Sequence, residues 1–251
     1  MHKWPKKKRR FHKDTYPGNR WNRGDFILWY GYKEGDNVYW DTEIGKGRPA
    51  WNIQDPAMLT QHLGFKADIC CGGIDNIIRH HDYVIAVIEG ITKENVASCW
   101  LHAGHLYIDG KKMSKSLGNI IYPQDLLKKG YQWVHIRFFL IYGHYRQRLN
   151  FTLEKFDKVC KRLDTFKQMV KNLSSYENYA KKPDVKTRKA IDRLMDDFVK
   201  NMNNDLHVKE AFDTLFNNVS KLVKNKHKIS VEDSNKATAK LKGIYKVLQV
   251  L

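Results

Sequence analysis

Acidic residues and long apolar runs are what this sequence has least of. Asp and Glu total 27 against 45 Lys and Arg, which leaves a formal net charge of +18. A surplus this large favours polyanionic partners, RNA or a nucleotide first among them, although a generally lysine-rich protein would show it too. No apolar run approaches the length of about 18 residues that a membrane helix needs, so we expect no membrane span.

Cysteine is scarce as well. The four cysteines are Cys70, Cys71, Cys99 and Cys160, and none belongs to a CxxC pair. Such spacing predicts neither a zinc ribbon nor a disulfide framework, and it fits a reducing compartment. The opening MHKWPKKKRRFHK is basic but has no apolar core, which argues against a secretory signal. Its KKKRR run is typical either of a nuclear signal or of a tail that touches RNA phosphate. We expect a cytoplasmic protein.

The first part of the chain alternates strand-like and helix-like segments. Residues 1–24 are a basic, irregular lead-in, and the run DFILWYGY at 25–32 is strand-like because it is aromatic and β-branched. A Gly/Pro loop follows and leads into a helix. Asp55 is the predicted N-cap of that helix, and Pro56 would then lie in its first turn.

A second strand and a crossover helix come next. KADICCGGIDN predicts a short buried strand over 67–71 that breaks at a Gly-Gly pair (72–73), where backbone often approaches a ligand. A helix is predicted over about 79–92, and ASCWLHAGHLYIDG predicts a strand that turns at an Asp-Gly pair (109–110). This order of elements predicts an α/β nucleotide-binding layer over residues 25–150.

The character of the sequence changes after Asn150. Strand signals disappear, and apolar residues recur every three to four positions over residues 151–251. The repeating positions are Phe156, Val159, Leu163, Phe166, Val170 and Leu173; Ile191, Leu194, Phe198 and Met202; Phe212, Leu215, Phe216, Val219, Leu222 and Val223; and Ala239, Leu241, Ile244, Val247 and Leu248. Four amphipathic helices of this kind predict a C-terminal helical bundle.

The stretch DGKKMSKSLGN, residues 109–119, carries the clearest chemistry. Lys112 and Lys115 stand three apart, with Ser114 and Ser116 interleaved. Two ammonium groups on a small loop can close over a triphosphate, and the two hydroxyls can donate hydrogen bonds to phosphate oxygens. The competing interpretation is a mobile basic turn, because Gly, Ser and Lys are common in loops.

The loop and three other segments, in the same order, resemble the cysteinyl-tRNA synthetase family of class I aminoacyl-tRNA synthetases. The other three are DFILW with GKGRPAWNIQDPAM, then DICCGGIDNIIRHHDY, and HIRFFLIYGHYRQRLNFT; MNNDLHVKEAFDTLF in the bundle is also similar. The resemblance covers roughly residues 20–251. It implies a partial class I nucleotide-binding sheet of Rossmann type, followed by a helical bundle of the kind that contacts tRNA.

The resemblance also implies roles for single residues around the nucleotide. Gly72, Gly73 and Asp75 match the Gly-Gly-x-Asp that receives adenosine in this family, with the carboxylate on the ribose hydroxyls. Lys112 and Lys115 match the lysines of the phosphate loop, which imply ATP, with Mg²⁺, as the bound nucleotide of an active enzyme.

The amino-acid pocket departs from the family pattern. Trp51 matches the Trp that walls the cysteine pocket, and His80 and His81 match a paired histidine whose first member binds zinc. The family's zinc is held by two Cys, one His and one Glu, but Asp55 and Val84 stand at two of those positions. A single histidine cannot hold tetrahedral zinc, so we do not expect zinc here.

The first nucleotide signature of the class, HIGH, also has no counterpart upstream; HAGH at 102–105 lies in the strand that leads into the phosphate loop. The sequence thus predicts an N-terminally shortened relative whose half sheet would expose an edge. Self-association or a partner chain would then be needed to cover it. The family's small C-terminal anticodon-reading part is not expected either.

Three functions remain open at this point. The first is a protein that binds a nucleotide, tRNA or another RNA without activating cysteine on its own. The second is one half of a split cysteine–tRNA ligase, completed by a partner chain, against which the changes at Asp55 and Val84 count. The third is an ATP-dependent ligase that activates another carboxylate substrate.

Overall fold

A computed structural model of the protein describes residues 26–175, 179–180 and 184–250. The chain divides between Ala103 and Gly104 into two compact units, here called the N unit (26–103) and the C unit (104–250). The change in composition near residue 150 lies inside the C unit, and the predicted lead-in at 1–24 lies outside the described residues. Within the described ranges, no helix combines the length and apolar character that crossing a membrane requires.

The N unit contains two small sheets and two helices, and the two helices pack on each other. Its elements, in chain order, are β1 Trp29–Gly31, β2 Gly47–Pro49, α1 Trp51–Leu63, β3 Ala67–Gly73, α2 Asp82–Thr92 and β4 Ala97–Ala103. Strands β1 and β2 are antiparallel, whereas β3 and β4 are parallel and joined through α2, as a β–α–β crossover requires. The predicted strand–helix–strand order is therefore present.

Three local predictions in the N unit were wrong. Helix α1 begins at Trp51 directly after β2, so Asp55 is not its N-cap, and Pro56 lies inside the helix. The glycines at 72–73 do not break β3, since they pair in register with His102 and Ala103 of β4. The crossover helix begins only at Asp82, because the preceding turn has an extended residue 78 and a left-handed residue 79.

The core of the N unit is small. Val84, Ile88 and Val96 form its buried cluster, and Trp100 of β4 packs against them. Side chains alternate along a strand, so the opposite face of the parallel sheet carries Ile69 of β3 and, from β4, Cys99. Ile69 is 59% exposed and Cys99 is exposed. Parallel sheets normally have both faces covered, and among the described residues of this unit one face is not.

The C unit contains short strands and, in its larger part, helices. Its elements are β5 Leu106–Ile108, β6 Lys111–Lys112, α3 Pro123–Lys128, α4 Trp133–Ile141, β7 Leu149–Phe151, α5 Leu153–Ser174, α6 Val185–Asn203, α7 Val208–Lys224 and α8 Val231–Leu248. Strand β5 pairs antiparallel with β6 and parallel with β7. Asp109 and Gly110 form the predicted turn between β5 and β6, and both have positive φ, as a tight hairpin of this kind needs.

Helices α5 to α8 form the predicted bundle. Their apolar faces share one core, in which Phe156, Phe166 and Phe212 are fully buried. Side-chain caps start three of the helices: Thr152 accepts from the N–H of Lys155, and Asp184 and Ser230 do the same for α6 and α8. The periodicity predicted the buried faces of α5 to α7, because an apolar stripe fixes which face of a helix is buried. In α8 the predicted positions Ala239 and Val247 are exposed, and Ala237 is buried instead.

Candidate nucleotide and amino-acid site

The predicted phosphate loop lies in the C unit, after the β5–β6 hairpin. Lys112 ends β6, and Lys115 begins a single 3-10 turn that runs to Leu117. Both lysines are exposed, as is Ser116, whereas Ser114 is half-buried. The two serine hydroxyls lie 3.3 Å apart. Two cationic side chains and two hydroxyls thus lie within five consecutive residues of one exposed loop, as phosphate binding requires.

Asn119 holds this loop in shape, although no role was predicted for it from the sequence. Its Oδ1 accepts a hydrogen bond from the Ser114 N–H at 2.9 Å, and its Nδ2 donates to the Lys112 carbonyl at 3.1 Å. Gly118, with a φ of 63°, supplies the left-handed residue that returns the chain to Asn119. An Asn three residues after a Ser-rich stretch and next to a Gly is a turn signal, and Asn119 could have been found that way.

His105 also contacts the loop. Its Nε2 lies 3.2 Å from the Nζ of Lys112. His105 is the last residue of HAGH (102–105), so this segment contacts the predicted phosphate loop. The contact holds the Lys112 side chain on the His105 side of the hairpin, which reduces the number of conformations that it can adopt.

In the N unit, the twin glycines of β3 lie close to the side chains of two candidate site residues. A Cβ on Gly72 would lie 2.6 Å from Cε1 of His81, and a Cβ on Gly73 would lie 2.6 Å from Oδ1 of Asp75. Both separations are too short for real atoms, so a side chain at either position would require His81 or Asp75 to move. The structure thus brings Gly73 and Asp75 together, and it places His81 directly against Gly72.

His81 belongs to an aromatic cluster at the carboxyl ends of the parallel strands. Its Nδ1 lies 2.7 Å from Nε2 of His102, so one ring nitrogen donates to the other. His102 stacks in parallel on Trp100, with ring centroids 6.1 Å apart. Burial lowers the pKa of His81 first, and the neighbouring His102 and His80 lower it further, against a smaller opposing effect of Asp55.

Trp51, His80 and Asp55 form a second cluster, here called the Trp51–His80–Asp55 triad. The indole N–H of Trp51 donates to Nδ1 of His80 at 3.1 Å. Nε2 of His80 lies 2.9 Å from Oδ2 of Asp55. Helix α1 supplies Trp51 and Asp55 from one face at spacing four, and the turn before α2 supplies His80. The predicted pocket residues Trp51 and His80 are thus in direct contact.

These residues do not fit the zinc site that the family resemblance implies. Tetrahedral zinc bound to both Nε2 of His80 and a carboxylate oxygen of Asp55 would separate the two atoms by about 3.3 Å or more, since each bond is about 2.0–2.1 Å. Their 2.9 Å separation is instead that of a hydrogen bond. Val84, at a ligand position, is 5% exposed and belongs to the apolar core. Among the described residues, no group of three potential ligands lies together.

A cavity of about 400 Å³ opens elsewhere in the N unit. Val38, Trp40 and Pro49 give it an apolar wall, beside the charged Arg48 and Asp36. None of the predicted site residues lines it. The candidate site residues therefore lie away from this cavity, in the phosphate loop of the C unit and, separately, at the twin glycines and the triad of the N unit.

Comparison with known proteins identifies the family to which the chain belongs. The family "tRNA synthetases class I (C) catalytic domain" matches residues 2–161. The chain is 36% identical over 206 residues to a cysteine–tRNA ligase of Chlamydia muridarum, covering 80% of this chain and 43% of that protein. It is 40% identical over 197 residues to the ligase of Brachyspira hyodysenteriae, covering 78% and 42%. The Chlamydia pneumoniae ligase is 37% identical over 235 residues, covering 92% and 49%.

The fold is also that of a solved class I structure. The chain superposes with a TM-score of 0.55 on agnB2 LeuRS of Agrobacterium radiobacter, crystallised in a ternary complex with tRNA and LeuAMS. The sequences are 17% identical, and the match covers 73% of this chain and 26% of that one. The predicted fold class, a partial class I sheet followed by helices, is confirmed. The chain spans slightly less than half the length of the curated relatives described above.

Proposed function

Because this chain belongs to the class I tRNA synthetase family of the cysteinyl type, we propose that it binds ATP, with Mg²⁺, through its phosphate loop and binds tRNA through its basic helical region. Stand-alone activation of cysteine is not part of the proposed function. The braced loop of the C unit carries this proposal: Lys112 and Lys115 are exposed on a loop that Asn119 holds in shape.

The chemistry of the loop explains why a polyphosphate suits it. Lysine is a compact point charge that can follow the phosphate oxygens as they move, and it stabilises charge most strongly in a closed site. Asp75 beside Gly73 would accept hydrogen bonds from the ribose hydroxyls. The net charge of +18 supports a polyanionic RNA partner. A cytoplasmic location belongs to the same proposal.

The test uses ATP and tRNA separately. We expect a fluorescent ATP analogue with Mg²⁺ to bind the wild-type chain and to lose roughly tenfold or more in affinity on Lys115→Ala, because a charge-assisted contact to phosphate disappears. Lys129→Ala, at an exposed lysine just after α3, is the matched control and should leave affinity unchanged. Equal losses for the two variants would contradict a specific phosphate loop.

For tRNA, the expected result is filter retention that weakens steeply with salt. The logarithm of affinity should fall linearly with the logarithm of salt concentration, because bound lysines and arginines release counterions from phosphate. Failure to retain tRNA at moderate salt would remove the RNA half of the proposal and leave ATP binding to be judged by itself.

A second candidate is one half of a split cysteine–tRNA ligase. The uncovered face of the β3–β4 sheet, with exposed Ile69, favours it, because a further chain or a second copy of this one would bury that face. Co-purification of a second chain that restores ATP–pyrophosphate exchange with cysteine would support it. The loss of the zinc ligands at Asp55 and Val84 counts against it.

The third candidate is an ATP-dependent ligase for another carboxylate substrate. The observation in its favour is that the pocket residues are ordered by their own hydrogen bonds, from Trp51 to His80 to Asp55, where the family has a metal. ATP–pyrophosphate exchange measured against every amino acid would test it. Exchange with none of them would exclude this candidate.

A further inference from the structure

The proton positions in the Trp51–His80–Asp55 triad follow from its geometry. An indole nitrogen can only donate, so Nδ1 of His80, at 3.1 Å from it, must accept and carries no proton. The proton of the neutral ring is then on Nε2, which donates to the Asp55 carboxylate at 2.9 Å. The triad therefore has a neutral histidine, whose two nitrogens are both engaged, and one anionic carboxylate.

Few hydrogen-bonding groups of the triad remain available to a ligand. His80 has no remaining ring nitrogen, and the indole N–H of Trp51 is in use. Two attractive features are left. The Asp55 side chain, which is 36% exposed, has further lone pairs that can accept. The Trp51 side chain, in a residue that is 64% exposed, presents an aromatic face.

Both features select the same ligand chemistry. A carboxylate and an indole face each attract a cation, and together they form the kind of site that binds organic ammonium groups. A thiolate would be repelled by Asp55, since the part of the chain that the structure describes contains no metal ligand set that could hold a neutralising ion. A neutral hydroxyl would gain one hydrogen bond but neither the ion pair nor the cation–π contact.

We propose that the Trp51–His80–Asp55 triad binds an ammonium group of an amino-acid substrate, in the position where the relatives would be expected to bind a thiol through zinc. The proposal rests on the proposed function, because it assigns a substrate class to the same site. Asp55 provides the charge, His80 fixes the orientation of that carboxylate, and Trp51 provides the aromatic wall. The ammonium group is either the one on the substrate's side chain or its α-ammonium.

Three matched amino acids test the proposal: L-2,4-diaminobutyrate, L-homoserine and L-homocysteine, which differ only in a terminal ammonium, hydroxyl or thiol. Each is titrated into the full ¹⁵N-labelled chain, and the indole N–H signal of Trp51, assigned with Trp51→Phe, is followed. This signal reports directly on the hydrogen bond to His80. The variants are Asp55→Asn, Asp55→Glu and, as control, Asp41→Asn at an exposed aspartate of the same unit.

For a side-chain ammonium, diaminobutyrate should bind roughly tenfold or more tightly than the other two, and Asp55→Asn should abolish that preference. Asp55→Glu, which keeps the charge, and Asp41→Asn should both retain it. Trp51→Phe, followed by calorimetry, should weaken binding about two- to tenfold, because the better cation–π partner is lost. For an α-ammonium, all three ligands should bind alike, ethylammonium chloride should compete, and Asp55→Asn should weaken all of them equally.

Other outcomes overturn the proposal. The proposal is wrong if no ligand binds the wild-type chain, or if Asp55→Asn does not change the binding. It is also wrong if homocysteine becomes the tightest ligand when zinc is added. The ATP analogue is measured in the same samples. If ATP binds but Asp55 does not affect amino-acid binding, this inference fails and the proposed function stands; if ATP and tRNA both fail to bind, the proposed function fails first.

Discussion

The two compact units differ most in how completely each buries its apolar side chains. In the C unit, one continuous core extends through helices α4 to α8 and includes most of their large apolar residues. In the N unit, the buried cluster has only three members, Val84, Ile88 and Val96, and large side chains such as Ile69 and Trp51 are exposed. Because apolar burial is the main favourable contribution to folding, the C unit is the more stable part of the chain.

The difference also separates two groups of candidate site residues. The phosphate loop of the C unit is braced by Asn119 within a well-packed unit, whereas the triad and the twin glycines belong to a unit with one uncovered sheet face. The loop of the C unit is therefore held in shape by contacts within its own unit. A site on the N unit is more sensitive to whatever covers Ile69 and its neighbours.

The largest contrast between the units should appear in thiol reactivity. Burial raises the pKa of the Cys160 thiol to about 12, and the residue is only 3% exposed in the C-unit core. Near pH 8 its thiolate fraction is on the order of a thousandfold below that of an ordinary thiol, since the usual pKa is about 8.5. Cys71 and Cys99, exposed in the N unit, should therefore alkylate rapidly while Cys160 stays unmodified.

Mass spectrometry after timed treatment with iodoacetamide checks this, with a sample unfolded in guanidinium as the control in which all four cysteines react. Modification of Cys160 at a rate close to that of Cys71 in the folded protein would show that the C-unit core opens readily, and the contrast between the units would be lost.

The next largest effect is expected from Phe212→Ala. Phe212 is fully buried and contacts Phe138 and Phe166 at ring-centroid distances of 4.5 and 5.0 Å. Its truncation should lower the free energy of unfolding of the C unit by about 3–5 kcal/mol, through lost burial and the cavity that remains. Urea unfolding followed by far-ultraviolet circular dichroism measures it. Leu140→Ala, at an exposed position of α4, is the control and should change little.

A smaller effect is expected at Asp213, which accepts hydrogen bonds from Tyr142, Arg162 and Lys209. Burial tends to raise the pKa of this carboxyl, but these hydrogen bonds together lower it below its usual value. A lowered folded-state pKa means that the stabilisation is present above the unfolded-state pKa, about 3.9, and is lost as pH falls through the folded-state pKa.

Asp213→Asn should therefore cost about 1–3 kcal/mol at pH 7 and less at pH 2, because the wild-type carboxyl gains a proton as pH falls through its folded-state pKa. Unfolding curves at the two pH values measure this. A cost that is the same at both pH values would mean that the charge of Asp213 is not what stabilises the contact between α5 and α7.

The smallest effect on stability is expected from Ile69→Thr on the uncovered sheet face. Because Ile69 is 59% exposed, its replacement should change the free energy of unfolding by no more than about 0.5 kcal/mol. The same change should reduce self-association, which sedimentation velocity measures at several protein concentrations. A loss of stability above about 1 kcal/mol would show that Ile69 is already buried in solution, against a second copy or a segment outside the described residues.

The sequence predicted the structure best in the region where apolar packing alone decides the fold. In the bundle, residues such as Leu163, Ile191 and Ile244 lie at helical spacing and all are buried, so periodicity was sufficient. In the N unit the pattern misled in part. Asp55 next to Pro56 has the composition of a helix start, but the helix begins five residues before Pro56, at Trp51 directly after β2.

The candidate site was predictable residue by residue but not in its contacts. Lys112, Lys115, Trp51 and His80 were all selected as candidates from the sequence, and the structure shows that Trp51 and His80 are in contact. Nothing in the sequence shows that His80 lies between Trp51 and Asp55, since 29 residues separate His80 from its indole partner. The sequence identified the twin glycines only as the end of a strand. In the structure they lie beside the space that the side chains of His81 and Asp75 occupy.

The uncovered face of the β3–β4 sheet has a consequence for the abundance of the protein in a living cell. Chaperones and quality-control proteases recognise exposed apolar surface. A change of about 1–2 kcal/mol in the free energy of unfolding is enough to alter the steady-state amount of a protein several-fold. A chain produced without whatever covers Ile69 should therefore be degraded faster than the same chain produced with it. Its half-life, followed after synthesis is stopped, would then depend on the supply of another molecule.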